Sequence, residues 1–522
     1  MNTEAVQQRR SLVLAGLFLF LIVLVSGGTS IYVVSDPSLH QVNKLAQVAY
    51  FVDRYYQAEI DWSEATQAAL DAMFSRLDRY SGYIEPRRWQ RVNEEFSGSY
   101  TGLGVSVMPH DDGLLIMSVR ENGPAAEKGI FSGDIIIEAD SVPLAGRDIV
   151  DATELLRGEE GTEVALRVFR PVDEDTLTFR VTRRKIDLEH IPFAGYTPDS
   201  VIYIRLLDFD AGASRDLKAA LDSLLQKDSL RPGGVILDLR GNPGGLLSEG
   251  YGVANLFLEE GQLIVGTDGR SRWDEYEYKS SGHDLTGGLP LAVLVDGGSA
   301  SAAEIVAGSL QQLRRATLVG DTTFGKGLVQ GFTSLATGGA VRLTISRYYL
   351  EGRMYLNRFD SILADTGSGL IPDHLVTLPE QDAFPRALER SLLLNRFANQ
   401  HQDEIVGSGE FALDPGWITR FADYARAESF TYKSGVTTRL ERLLEVSALE
   451  HSDVIRRAVD ELLALSRDDD ERQIEQYADY ISMRLRQLAF ERHSGSYAAY
   501  ARAIVPARSD IQLAGHLLRE MR

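Results

Sequence analysis

Cysteine is absent from all 522 residues. The chain therefore has no disulfide, no thiolate metal site and no cysteine-linked lipid anchor available to it. The absence suits an oxidising compartment without requiring one. Positive charge is scarce as well: 54 Lys and Arg stand against 75 Asp and Glu, a net charge of −21. That balance repels a phosphate backbone, and no basic stripe or aromatic RNA-binding motif offsets it, so no nucleic-acid partner is expected. The length suits roughly three or four domains.

Against this acidic background, Leu12 to Val34 carries no charged residue and follows Arg9 and Arg10. The run is long enough to span a hydrocarbon layer of about 30 Å. It exceeds the apolar core of about 7–15 residues found in cleaved signal peptides, although the small residues Ser26 to Ser30 leave a cleavage site open. The expectation is an N-terminal membrane anchor within residues 1–35. The flanking arginines would hold the tail in the cytoplasm and place the remainder outside it.

The most informative stretch runs from Leu291 to Gln330. Leu291 to Val295 is an apolar run closed by Asp296-Gly297-Gly298, the pattern of a buried strand ending in a tight turn. Val306, Leu310 and Leu313 then follow helical spacing. Ser301 thus sits where a strand becomes a helix, among small neighbours that let a substrate backbone approach. The orphan N–H groups and partial positive charge of a helix N-terminus suit a developing oxyanion there. Lys326 lies between Gly325 and Gly327 after a further strand, Ala316 to Val319. A phosphate loop is ruled out because G-x-x-x-x-G-K-[ST] fails at Gly327.

A serine hydroxyl needs a base within hydrogen-bond reach to become a nucleophile. A solvated lysine, with a pKa of about 10.4, is protonated at neutral pH. Burial disfavours the ammonium and turns the amine into a usable base. If Leu328 to Phe332 is a strand, Lys326, Leu328 and Gln330 share one face, and the neutral Gln330 amide can orient the lysine. Three segments, Gly298-Ser299-Ala300-Ser301-Ala302-Ala303-Glu304-Ile305, Thr323-Phe324-Gly325-Lys326-Gly327 and Gln330, resemble the active-site segments of the carboxyl-terminal processing (tail-specific) serine peptidases. The resemblance implies Ser301 as nucleophile, Lys326 as general base and then acid, and Gln330 as orienter. It extends to Asp238-Leu239-Arg240-Gly241-Asn242-Pro243-Gly244-Gly245, similar to the family's D-L-R-x-N-P-G-G. By that likeness the N–H of Ala302 and that of Gly244 or Gly245 form an oxyanion hole, and no cofactor or metal takes part. His190, His283 and His374 would allow a Ser-His-Asp version, but none stands in a recognisable histidine motif.

Upstream, residues 36–95 form a helical lead-in with Val42, Leu45, Ala49 and Val52 in register. It includes Leu77 to Pro86, similar to the family's L-D-x-Y-S-x-Y and expected to serve packing alone. Residues 96–186 change to short strands with glycine turns. Tyr100-Thr101-Gly102-Leu103-Gly104-Val105 looks like the carboxylate-binding loop of a PDZ domain, and Pro124 to Ile136 matches the family's P-A-x-x-A-G-[LI]-x-x-G-D-x-I run except at Lys128, which replaces the usual small residue. Thr101, Gly102, Leu103, Gly104, Val105, Val107 and Leu155 are the expected peptide-binding residues. A peptide tail would add as a strand beside Val105 to Met108, against a helix at Asp151–Leu156.

Residues 187–383 alternate strands and helices, an α/β pattern. By resemblance this is a ClpP/crotonase-like catalytic core with the mainly-β PDZ domain inserted ahead of its main sheet. Glu351 to Leu370 is longer than the family's loop. Residues 384–522 form an all-helical C-terminal extension, open to homodimerisation, adaptor docking or shielding of the site. Its acidic run Asp468-Asp469-Asp470-Glu471 lacks EF-hand spacing and suits a solvated turn or a helix start. The resemblance implies a membrane-anchored extracytoplasmic endopeptidase acting on protein C-termini. The alternative from another class is a catalytically silent PDZ scaffold or chaperone-like binder of unfolded chains, against which the intact Ser301, Lys326 and Gln330 speak.

Overall fold

The computed structural model describes residues 37–521, apart from 121, 172, 188, 227–231, 271–274, 357–368, 377–381, 409–412, 445–452 and 495–499. The expected anchor, Leu12 to Val34, lies outside the described residues. So does most of the long loop expected between Glu351 and Leu370. Among the described residues no helix is long and apolar enough to cross a membrane. The chain divides into two compact units, Met1–Arg79 and Tyr80–Arg522.

In the first unit, helices span Pro37–Tyr55 and Trp62–Phe74. Asp61 starts the second by accepting from the N–H groups of Ser63 and Glu64 at 2.8 and 3.2 Å, which satisfies two orphan donors. Of the periodic apolar residues of the first helix, Val42 and Leu45 stay exposed, while Ala49 and Val52 are half-buried.

In the second unit, the central sheet has the order Phe193–Tyr196, Ile202–Arg205, Val235–Asp238, Leu291–Val295, Thr317–Gly320, His374–Leu375. Its first pair is antiparallel and the remaining pairs are parallel. Parallel strands are covered on both faces, and here the alternation of side chains sends each set to a different layer. Val235, Leu237, Leu291, Val293 and Val295 pack with the helices Ala213–Leu225, Leu247–Asn255 and Ala302–Gln312. On the other face Tyr203, Ile236, Ala292 and Leu294 meet Ile511, Ala514 and Leu518 of the last helix, Ser509–Glu520. Each such fully buried aliphatic side chain contributes about 1.5–3 kcal/mol. The catalytic sheet is thus roofed by the far end of the helical extension.

A second sheet centres on Ala340–Leu350, which pairs with Gly82–Ile84, Leu263–Gly269 and Leu328–Ser334. The expected PDZ module forms a sheet in the order Val105–His110, Gly113–Val119, Ile135–Ala139, Glu163–Arg170, Asp175–Thr182, with the helix Ile149–Leu156 over its core. Two antiparallel strands, Ser99–Gly102 and Arg184–Asp187, form the passage into and out of it.

The C-terminal helices Ala383–Arg390, Leu393–Gln400, Pro415–Ala427 and Ala478–Ser494 have a core of their own around Phe384, Phe397, Trp417, Phe421, Ile481 and Leu485. Asp414 caps Pro415–Ala427, accepting from Gly416 N–H at 2.7 Å, as its Asp-Pro start predicts. The acidic run is not a solvated turn or a helix start: it lies at the C-terminal end of the helix Asp453–Glu471. There Asp470 is buried, accepting from Ser434 N–H at 3.0 Å and Thr437 Oγ1 at 2.6 Å, so one carboxylate serves the start of the neighbouring helix Gly435–Leu444.

Candidate active site

The buried strand Leu291–Val295 ends at Asp296, whose carboxylate accepts from Gly298 N–H at 2.9 Å and Gly241 N–H at 2.8 Å. Ser299 Oγ donates to Leu239 O at 2.7 Å, and Ala300 N–H donates to Asn242 O at 3.0 Å. The serine turn is therefore stitched to the Asp238–Gly245 turn before the helix Ala302–Gln312 begins. Ser301 itself has φ 56° and ψ −114°, a conformation that costs a non-glycine residue about 1–3 kcal/mol and persists only where its surroundings impose it.

Those surroundings are dominated by Glu304, in the first turn of the same helix and fully buried. Its carboxylate accepts from Ser301 N–H at 2.9 Å, Thr323 Oγ1 at 2.5 Å, Gly325 N–H at 2.7 Å and Lys326 N–H at 2.8 Å. One buried charge thus ties the backbone of Ser301 to that of Lys326, and four donors offset its desolvation. Tyr348 adds a second tie: its hydroxyl donates to Lys326 O and lies 3.2 Å from Ser301 O.

Lys326 Nζ donates to Gln330 Oε1 at 3.4 Å, and Gln330 Nε2 donates to Tyr80 O at 3.0 Å. Regular strand alternation is not what joins them, because the ladder shifts register between Val329 and Gln330. Lys326 Nζ also sits 5.4 Å from the centre of the Tyr80 ring. Burial holds the Lys326 pKa below the ordinary lysine value; nearby Arg342 acts the same way, and Glu304 opposes both.

Gly244 lies against the serine. With φ +95°, a side chain there would fall 2.8 Å from Ser301 Cβ and 2.9 Å from Ala302 N, which only glycine avoids. Its N–H donates to Asn242 Oδ1 at 2.9 Å, and its carbonyl accepts from Phe209 N–H at 3.1 Å. Ser301, Ala302, Lys326, Gln330, Gly244 and Gly245 all line one cavity of about 780 Å³.

Residues 200–365 match the model of peptidase family S41, and residues 101–182 match that of a PDZ domain. The chain is 31% identical over 405 residues to the carboxy-terminal-processing protease of Bartonella bacilliformis, covering 75% of this chain and 90% of that one. The chain belongs to the carboxy-terminal-processing proteases. It is 33% identical over 335 residues to the carboxyl-terminal-processing protease of Synechocystis, across 63% of this chain and 74% of the relative. Among solved structures, it is similar to a photosystem II D1 C-terminal processing protease at 27% identity and a TM-score of 0.39, covering 62% of this chain and 84% of that one. The chain is accordingly a serine-type peptidase of α/β fold carrying a PDZ domain.

In this carboxy-terminal-processing protease the other expected residues are dispersed. Thr101 and Gly102 pair with Lys185 and Arg184 in the two-stranded passage, and the Leu103 side chain is buried in the PDZ core. Gly104 takes φ +75°, and Val105, Val107 and Leu155 remain partly exposed above that core. Among the described residues no histidine lines the 780 Å³ cavity. His374 pairs at the edge of the central sheet beside Val319, His283 is exposed, and His190 bonds Asp208 at 2.7 Å within a different cavity. Sequence reasoning left Glu304, Tyr348 and Tyr80 without roles. Glu304 stood inside the quoted motif, and its charge in an otherwise small and apolar segment was the available signal. Tyr80 stood in the phrase assigned to packing.

Proposed function

We propose that this peptidase captures the C-terminal tail of a protein substrate and hydrolyses its peptide bonds with a Ser301–Lys326 dyad. The observation that carries the reading is the convergence of Ser301, Lys326, Gln330, Gly244, Gly245 and Ala302 on one cavity. Burial lowers the Lys326 pKa, and in its neutral form the amine accepts the Ser301 Oγ proton as the oxygen attacks the scissile carbonyl. The developing oxyanion faces Ala302 N–H, at the start of a helix, and Gly245 N–H, since Gly244 N–H already serves Asn242. The Lys326 ammonium then protonates the departing amine, leaving an acyl-serine that water resolves by the reverse proton path. Gln330, itself held by Tyr80 O, fixes the lysine amine.

Selection belongs to the PDZ module, by way of Thr101 to Val105 and the side chains of Val107 and Leu155. Val105–His110 is the edge strand of its sheet, open to an added strand. Gly104 and Val105 line a cavity of about 1160 Å³, and Asp208 lines both that cavity and the one holding Ser301. A tail bound at the edge strand therefore lies beside a cavity that shares Asp208 with the one holding Ser301. The uncharged run after Arg9 and Arg10 anchors the chain with its catalytic part outside the cytoplasm, and the C-terminal helices serve dimer or adaptor contacts. The test is incubation of the full chain with an unfolded protein bearing a free or an amidated C-terminus, followed by mass spectrometry of the products. Faster cleavage of the free form supports the reading; absence of cleavage, or products unchanged in Ser301→Ala, sinks it.

A further inference from the structure

The last helix, Ser509–Glu520, lies well beyond residue 365, where the peptidase match ends. It nevertheless contacts the turn behind Ser301. Arg240 follows the strand Val235–Asp238 and is buried, and Asp238 and Asp510 are both 0% exposed. The guanidinium of Arg240 is held at both ends. Its Nε donates to Asp238 Oδ1 at 2.8 Å and its Nη2 to Asp238 Oδ2, while Nη1 donates to Asp510 Oδ2. Asp238 also receives Arg205 Nη1 at 3.0 Å and the Tyr203 hydroxyl at 2.5 Å. One buried carboxylate therefore faces two guanidinium groups, and Asp510 supplies the second negative charge. Asp510 is in turn fixed by Ile511 N–H at 2.9 Å and Arg508 Nε at 3.2 Å.

We infer that Asp510 is a positioning residue for peptide-bond cleavage, acting through Arg240 on the turn Gly241–Gly245. The inference rests on the oxyanion role proposed for that turn. Several groups of the turn are fastened in sequence, and Arg240 is the first fastening. Its N–H donates to Asp238 Oδ1 at 3.0 Å, and its carbonyl accepts from Arg205 Nη2 at 3.2 Å. Next come Gly241 N–H on Asp296, Asn242 Nδ2 on Leu206 O at 3.0 Å and Gly244 N–H on Asn242 Oδ1. A planar guanidinium clasped by two carboxylates has one orientation. Held by Asp238 alone, it leaves surplus positive charge in a dry site, and the side chain is drawn towards water with the turn attached. The final helix thus does more than roof the sheet, since it sets the geometry of the turn.

The experiment uses the full-length enzyme and an unfolded protein substrate. Asp510→Asn keeps the shape and removes the charge. It is expected to lower kcat at least tenfold per folded molecule, with KM within twofold of the parent. Leu518→Ala, in the same helix and 0% exposed, loosens docking without touching Arg240 and is expected to keep kcat within twofold. Folded fractions come from circular-dichroism melts. Parental kcat in Asp510→Asn overturns the inference, as does an equal kcat loss in both variants, which would mark a merely structural role. If Asp510→Asn does not fold, Arg240→Met combined with Asp510→Leu removes both charges together, with Asp238 still held by Arg205 and Tyr203. Slow turnover of that pair supports the inference and parental turnover overturns it. Ser301→Ala is run alongside. If it still cleaves, the reading of the site has failed; if it is inactive while Asp510→Asn is fully active, only the role of Asp510 has failed.

Discussion

Around Ser301, the N–H groups of Ser301, Gly325 and Lys326 converge on the buried carboxylate of Glu304. In the PDZ module, the strand Val105–His110 has, among the described residues, a partner strand on one side only. In the first region these three backbone donors are met internally, which fixes the backbone of Ser301 and Lys326 before any substrate arrives. The second leaves backbone capacity unmet, which is what an incoming chain requires. Catalysis gains from pre-organisation, whereas recognition of varied tails gains from an open edge that reads backbone more than side chain.

The sharpest way to break this comparison is at the reacting groups. Ser301→Ala and Lys326→Ala should each lower kcat by at least about a thousandfold, and the double variant should be no slower, because the two act as a unit. Unchanged melting curves alongside lost turnover are the expected result; near-normal turnover in Lys326→Ala would remove the dyad. Next comes Glu304→Gln, which turns an acceptor-only group into one that presents an N–H₂ towards N–H donors. We expect kcat to fall roughly a hundredfold and stability to drop by about 1–3 kcal/mol, the cost of leaving buried donors unmet. Denaturant unfolding and steady-state kinetics would measure both, and loss of neither would show that the carboxylate is a bystander.

Gly104→Val tests the open side. Its φ of +75° strains a branched residue, so kcat/KM on protein substrates should fall about tenfold while a short ester substrate is turned over at the parental rate. Equal losses on both would place the defect in the catalytic turn instead. The smallest effect concerns pH. With Lys326 as the proposed base, its neutral form is the active one, so activity should rise with pH through a pKa below the ordinary lysine value. Arg342 helps to depress that pKa, and Arg342→Gln should therefore move the rising limb of kcat/KM to higher pH, by a fraction of a unit. Movement to lower pH would contradict the electrostatic account.

The strands and helices of the peptidase region were legible because local periodicity determines them: Leu291 to Val295 and Ala340 to Leu350 run as expected. Ser301, Lys326 and Gln330 were legible as a joint spacing. Glu304 and Tyr80 escaped because most of their partners lie far away in sequence: Glu304 meets Thr323, Gly325 and Lys326 besides nearby Ser301, and Tyr80 acts through its own backbone carbonyl, which has no signature in side-chain letters. The contact of Tyr80 O with Gln330 Nε2 joins positions 250 residues apart. Docking of Ser509–Glu520 was hidden for a related reason. Ile511, Ala514 and Leu518 announce an apolar helix face, but such a face fits any apolar surface and cannot name the sheet it covers.

Pro109 lies within the open edge strand, opposite Leu114. A proline has no N–H to offer, so a ladder started beside Val105 cannot be continued past Met108 on its donors. A tail a few residues long is accommodated, but a second copy of the same edge, needing pairing along the whole strand, is refused. The same residue that limits how much of a captured chain is gripped thus guards the enzyme against edge-to-edge polymerisation.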